Sequence, residues 1–164
     1  MKRMLVVSTL VAVAFATLNI GPIPAARAWG SPGCNLGNVA GSFGFSYNGV
    51  GILPTGQVPV GAVGKYHADS AGNLTGDEIN SLGGDAEYQT IVGNITVTPD
   101  CSGTLVAKVY QGGVLARTSY IHLQYQNNTR EVLFMFQKLV LPNGSSLPVV
   151  INGSGKRIFS DRGD

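Results

Sequence analysis

The sequence predicts an all-β fold, an eight-stranded antiparallel up-and-down (meander) β-barrel, on three observations. Turn signals recur at 69–72, 83–85, 100–103, 112–113, 127–128 and 143–146, which leaves strands of roughly 8 to 12 residues between them. Several of these segments alternate apolar and polar residues with period two, the mark of a strand with one buried and one wet face. No long helical stretch follows residue 28. Short connections favour neighbouring antiparallel strands, and long strands in that order close into a barrel that removes its exposed edges. A two-sheet sandwich would alternate in the same way, but with shorter strands and longer crossovers.

The chain opens with a secretory signal peptide over residues 1–28. Lys2 and Arg3 form its charged start, Met4 to Leu18 an uncharged apolar stretch, and Ala26-Arg27-Ala28 a small-x-small cleavage pattern. The predicted mature chain begins at Trp29, with a Gly/Pro-rich lead-in over 29–40 and a single barrel domain over 41–164. Strands are expected near 41–50, 58–68, 73–80, 88–98, 103–111, 114–126, 129–141 and 147–159. In the first, Phe43, Phe45 and Tyr47 share one face. In the fourth, Ile91, Ile95 and Val97 oppose threonines and Asn94; in the sixth, Ile121, Leu123 and Tyr125 oppose Tyr120, His122 and Gln124. The seventh, "EVLFMFQK" at 131–138, is apolar on both faces. Val132, Phe134 and Phe136 are therefore assigned to an interface with another subunit, making a homo-oligomer, or failing that with the 29–40 lead-in.

"DSAGN" at 69–73 and "DCSGT" at 100–104 repeat one Asp-x-x-Gly pattern. Type I turn chemistry would have Asp cap each turn and Gly72 and Gly103 take the left-handed conformation. Cys34 and Cys101 are the only cysteines, and an exported chain folds in an oxidising compartment, so a disulfide joining lead-in to turn is expected.

Removing Lys2, Arg3 and Arg27 with the signal peptide takes the formal net charge from +2 to −1. No basic patch then speaks for nucleic acid, and no membrane segment follows cleavage, so the expected location is secreted or periplasmic. "GVGILP" at 49–54 ends on Pro54 with no helix after it, and "GSGKR" at 153–157 lacks the residues a phosphate loop needs. His67 and His122 are the only histidines. His122 lies on a polar strand face, and His67 could pair locally with Asp69. Neither implies a metal site or a triad, and no cofactor is expected. Asp77, Glu78, Asp85 and Glu87 gather near the Gly83-Gly84 turn without the spacing of a Ca²⁺ loop and read as a solvated turn.

"GSFGFSYNG" at 41–49, with the "GNLTG" and "ITVTPDCSGTL" hairpins, resembles small exported calycin-type barrels: lipocalins, avidins and allene-oxide-cyclase-like barrels. Phe43 stands where a lipocalin carries tryptophan. The resemblance implies a barrel binding a small apolar or amphipathic molecule in its interior, with an isomerase or cyclase as the alternative and a structural or surface-interaction scaffold as the second. Phe45, Tyr47, Tyr66 and Tyr125 are the expected ligand-binding residues, with Gly64 and Gly93 leaving room beside them. A buried Tyr–Glu pair would favour catalysis.

Overall fold

The computed structural model describes residues 33–158; the expected signal peptide, the expected mature start at Trp29 and the start of the lead-in lie outside the described residues. A short helix, α1 (Leu36–Val39), precedes β1 (Gly41–Leu53), β2 (Gly56–Ala68), β3 (Asn73–Leu82), β4 (Asp85–Val97), β5 (Ser102–Gln111), β6 (Val114–Gln126), β7 (Glu131–Val140), β8 (Ser146–Leu147) and β9 (Val149–Arg157). Each strand from β1 to β7 pairs antiparallel with the next, β7 with β9, and β9 with β1, so eight long strands close an up-and-down barrel. Pro148 has no N–H to give a ladder and separates the two-residue β8 from β9. Ala116 on β6 and Gln137 on β7 are bulged residues without partners, and each flips the alternation beyond it.

One barrel end is sealed. The Cys34–Cys101 disulfide, with Cα atoms 4.9 Å apart, pins the lead-in across it. Asn35 and Asn38 cap α1 reciprocally, so a four-residue helix can form where propensity alone would not nucleate one. Arg157 donates to Ala40 O at 2.7 Å and Asn38 O at 2.8 Å, and its guanidinium lies 4.9 Å from the centre of the Phe43 ring. Beneath this plug Val39, Phe43, Ala68, Leu74 and Ile95 are buried.

The first Asp-x-x-Gly turn takes the expected form and the second does not. In the first, Asp69 Oδ1 accepts from the Ala71 and Asn73 amides, and Gly72 is left-handed at φ 89°. In the second the turn begins at Thr98, whose carbonyl accepts from Cys101 N, and Cys101 holds the left-handed position at φ 68°. The motif is displaced by two residues, and Cys101 stands where Gly72 stands. Gly103 belongs to β5, where an added Cβ would meet Thr96 O at 2.4 Å.

The interface assignment is also corrected. Val132 and Phe136 are buried and Phe134 half-buried, all three facing the barrel interior, while Leu133 and Met135 are the exposed residues of that strand. An alternating strand can present only one phase inward, and the bulkier phase fills the barrel.

Candidate functional site

The inward face of the barrel changes character along its length. At the sealed end β3 contributes Leu74, β4 Ile95 and β6 Tyr125; further along, the same inward phases reach Glu78 and Asn80 on β3, Gln89 on β4 and Arg117 on β6. These four side chains meet Tyr47 of β1 in one buried cluster. Arg117 Nη2 lies 2.5 Å from Glu78 Oε1 and 3.0 Å from the Tyr47 hydroxyl, and Nη1 donates to Gln89 Oε1 at 2.6 Å. The Tyr47 hydroxyl donates to Glu78 Oε1 at 3.2 Å and accepts from Asn80 Nδ2 at 2.9 Å. Burial pushes the Glu78 carboxyl above its usual range, and the Arg117 charge, then hydrogen bonds from Arg117 and Tyr47, pull it back. Burial likewise raises the Tyr47 phenol well above its usual value, against the Arg117 charge. A buried charge that keeps its ionised form needs such a partner set.

Two cavities flank this cluster, and Tyr47, Arg117 and Phe136 line both. The inner cavity, toward the sealed end, has a volume of about 50 Å³ among aliphatic and aromatic side chains. Ser119 Oγ is buried beside it without a hydrogen-bond partner. The outer chamber, of about 350 Å³, lies among the 82–85, 111–114 and 141–146 turns. One wall is polar, with Asn80, Glu87 and Gln89; the opposite wall is apolar, with Leu139, Leu147, Val149 and Ile151.

The four aromatic residues singled out in the sequence separate. Tyr47 touches both cavities, Phe45 and Tyr66 line only the inner one, and Tyr125 lines neither. Phe43 stacks on Tyr66 with ring centres 5.1 Å apart and meets Tyr125 edge-on at 6.4 Å. Burial, then the neighbouring Tyr125 hydroxyl, raises the Tyr66 phenol, and burial pushes Tyr125 up to about 12. The two hydroxyls interact, but Tyr125 Oη has no partner at hydrogen-bonding geometry. Gly64 does not leave room: an added Cβ would meet Asp77 O at 2.3 Å and both Glu78 Cβ and Phe45 Cζ at 2.8 Å. An added Cβ on Gly93 would meet Val106 O at 2.7 Å.

His67 and His122 are exposed, and His67 Nδ1 pairs with Ser42 Oγ at 3.1 Å rather than with Asp69. The four carboxylates near the Gly83-Gly84 turn also disperse. Asp77 points outward to Lys65, Glu78 is in the cluster, and Asp85 and Glu87 line the outer chamber. Sequence reasoning missed Arg117, Asn80 and Gln89. Their signal was phase: counting back in twos from Tyr125 reaches Ser119 and then Arg117 on the same inward face.

No protein-family model matches the chain, and no curated protein matches it. Among solved structures it is similar to a redesigned β-barrel, mFAP1, bound to DFHBI, at 14% identity and a TM-score of 0.49, covering 74% of this chain and 97% of that one.

Proposed function

We propose that this is an exported barrel that binds a small amphipathic molecule in its outer chamber. The observation that carries the reading is the chamber itself: about 350 Å³, apolar on one side and floored by Tyr47 and Arg117, with Glu78 behind them on the inner cavity. Small-molecule sites share that volume range and that mix of apolar wall with a few fixed polar groups. Tyr47 is the principal ligand-binding residue, and Phe45 and Tyr66 shape the inner cavity behind it. Tyr125 packs the sealed end. The disulfide is compatible with an extracellular or periplasmic location. Native mass spectrometry of protein purified from its own host tests the reading. A retained non-covalent ligand is expected, and it should be lost or weakened in Tyr47→Phe. A bare mass in every preparation, with no uptake from host lipid extract, counts against it.

One observation favours a second reading, an isomerase or cyclase: the Tyr47 hydroxyl on the buried Glu78 carboxylate, 3.2 Å apart. Such a pair can polarise and reshuffle a proton on a substrate held in an apolar barrel. Incubation of the host extract with wild type and Glu78→Gln separates the readings. Conversion of an extract component by wild type alone supports catalysis; unchanged retention without conversion leaves binding.

A further inference from the structure

The polar wall of the outer chamber is a ladder of directly opposed residues on β3 and β4. Leu82 faces Asp85 at the mouth, Asn80 faces Glu87 midway, and below them Gln89 faces Glu78, which lines only the inner cavity. Opposed residues on one face of an antiparallel pair bring their Cβ atoms to about 5 Å, so Asn80 and Glu87 act on the same small volume.

The hydrogen-bond inventory of Tyr47 fixes how Asn80 is turned. Its hydroxyl has one proton, which goes to Glu78, and two acceptor positions, which take Arg117 Nη2 and Asn80 Nδ2. The Asn80 amide therefore gives its N–H to the cluster and must hold Oδ1 away from it. Asn80 is only 8% exposed, lines the chamber, and has no hydrogen bond to Oδ1. Oδ1 is not one of the fully buried unpartnered atoms, so it opens to the chamber, where a donor from water or from whatever fills the chamber can reach it. Beside it, neither Glu87 nor Asp85 has an ion-pair partner among the described residues. Arg117 does not balance them, because its charge is already paired with Glu78. The free groups of this wall are thus one amide oxygen and two carboxylates, against the Gln111 amide at the rim.

Resting on the reading of the chamber as a small-molecule site, we propose that its ligand is a cationic amphipath. A protonated amine would place its N–H groups between Asn80 Oδ1 and Glu87, and its apolar body would lie along Leu139, Leu147, Val149 and Ile151. A fatty-acid carboxylate would instead meet Glu87 and Asp85 with like charge and leave Asn80 Oδ1 unpartnered.

Isothermal titration of the exported protein with octylamine, octanol and octanoate tests the assignment at constant chain length. Octylamine should bind at least about tenfold more tightly than octanol, the order expected for one charge-assisted hydrogen bond, with octanoate weakest. Glu87→Gln, checked by its melting curve for an intact fold, should bring octylamine down to the affinity of octanol. Octyltrimethylammonium, which has the charge but no N–H, should bind less tightly than octylamine; equal affinity would overturn the role given to Asn80. Octanol or octanoate binding as well as octylamine would overturn the amine assignment while leaving the chamber reading standing. No binding of any probe at millimolar concentration would overturn both.

Discussion

Replacing Arg117 with Met should destabilise the barrel strongly and make its stability depend on pH. Arg117 and Glu78 have side chains 12% and 2% exposed, so little water is available to replace the lost partner. Two charges about 4 Å apart at an effective dielectric of about 20 interact by roughly 4 kcal/mol. Breaking a buried pair by removing one member costs about 3–5 kcal/mol, because the remaining charge is uncompensated. Met fills a similar volume, which keeps a cavity contribution small. Gln89 Oε1 and Tyr47 also lose a donor, which places the expected loss in the upper half of that range at neutral pH. For a domain of this size that lowers Tm by roughly 10–25 °C.

The pH dependence follows from Glu78. Burial already raises its carboxyl, and Arg117 supplies the largest opposing pull. Without Arg117 the folded-state pKa rises further. A carboxyl raised in the folded state is protonated there before it is protonated in the unfolded chain. Its stability is then full below the unfolded pKa, near 4.3, and declines as pH rises from there to the folded value. The deficit of Arg117→Met relative to wild type should therefore be smallest near pH 4 and grow toward pH 7. Urea unfolding followed by far-UV circular dichroism across that range measures it, and Glu78→Gln/Arg117→Met should recover most of the loss. A deficit below about 1 kcal/mol at pH 7, or one independent of pH, would refute the buried-pair account.

The sealed end and the packed interior give four further expectations. In a Cys34→Ser background, Cys101→Gly should be more stable than Cys101→Ser by about 1 kcal/mol, because glycine adopts the left-handed conformation without a Cβ penalty; equal denaturation midpoints would contradict this. The Cys34→Ser change itself should cost about 2–4 kcal/mol and expose the lead-in to limited proteolysis, and a protease-resistant lead-in would argue against the pinning role. Phe134→Glu should destabilise the fold by at least about 3 kcal/mol, since the residue faces the interior. A stable variant whose only change was in oligomeric state by light scattering would restore the interface assignment. Gly153→Ala should cost about 1–3 kcal/mol, because its Cβ would meet Ser46 O at 2.4 Å and the Phe134 ring at 2.6 Å; an unchanged unfolding midpoint would show that the ring yields freely.

The eight strands were legible in the sequence to within a few residues, because period-two alternation and turn residues are both written locally. The bulges at Ala116 and Gln137 were not. A bulge inserts one residue whose only trace is a change of phase, and on β7 that change is hidden by apolar residues in both phases. The displaced second turn was hidden for a similar reason: "DCSGT" matches "DSAGN" letter for letter at Asp and Gly, while the backbone aligns Cys101 with Gly72. Turn identity is carried by which carbonyl the chain closes on, here Thr98 rather than Asp100. No composition rule distinguishes the two.

The candidate site was missed because polar residues in an alternating strand were read as outward. Held to one phase, the strands say something else. On β3 the inward series runs Leu74, Gly76, Glu78, Asn80; on β4, reading away from the same end, Ile95, Gly93, Ile91, Gln89, Glu87; on β6, Tyr125, Leu123, Ile121, Ser119, Arg117. Each passes from apolar to polar in the direction of the same barrel end. A solid barrel gains nothing from such a gradient, since each buried polar group must be satisfied at the cost of desolvation. Here Tyr47 satisfies the cluster with both acceptor positions and its one proton, and what it cannot satisfy, Asn80 Oδ1, is left facing the chamber. The gradient thus places the transition from packed core to cavity, and the unfilled oxygen at that transition is where a ligand's donor has something to gain.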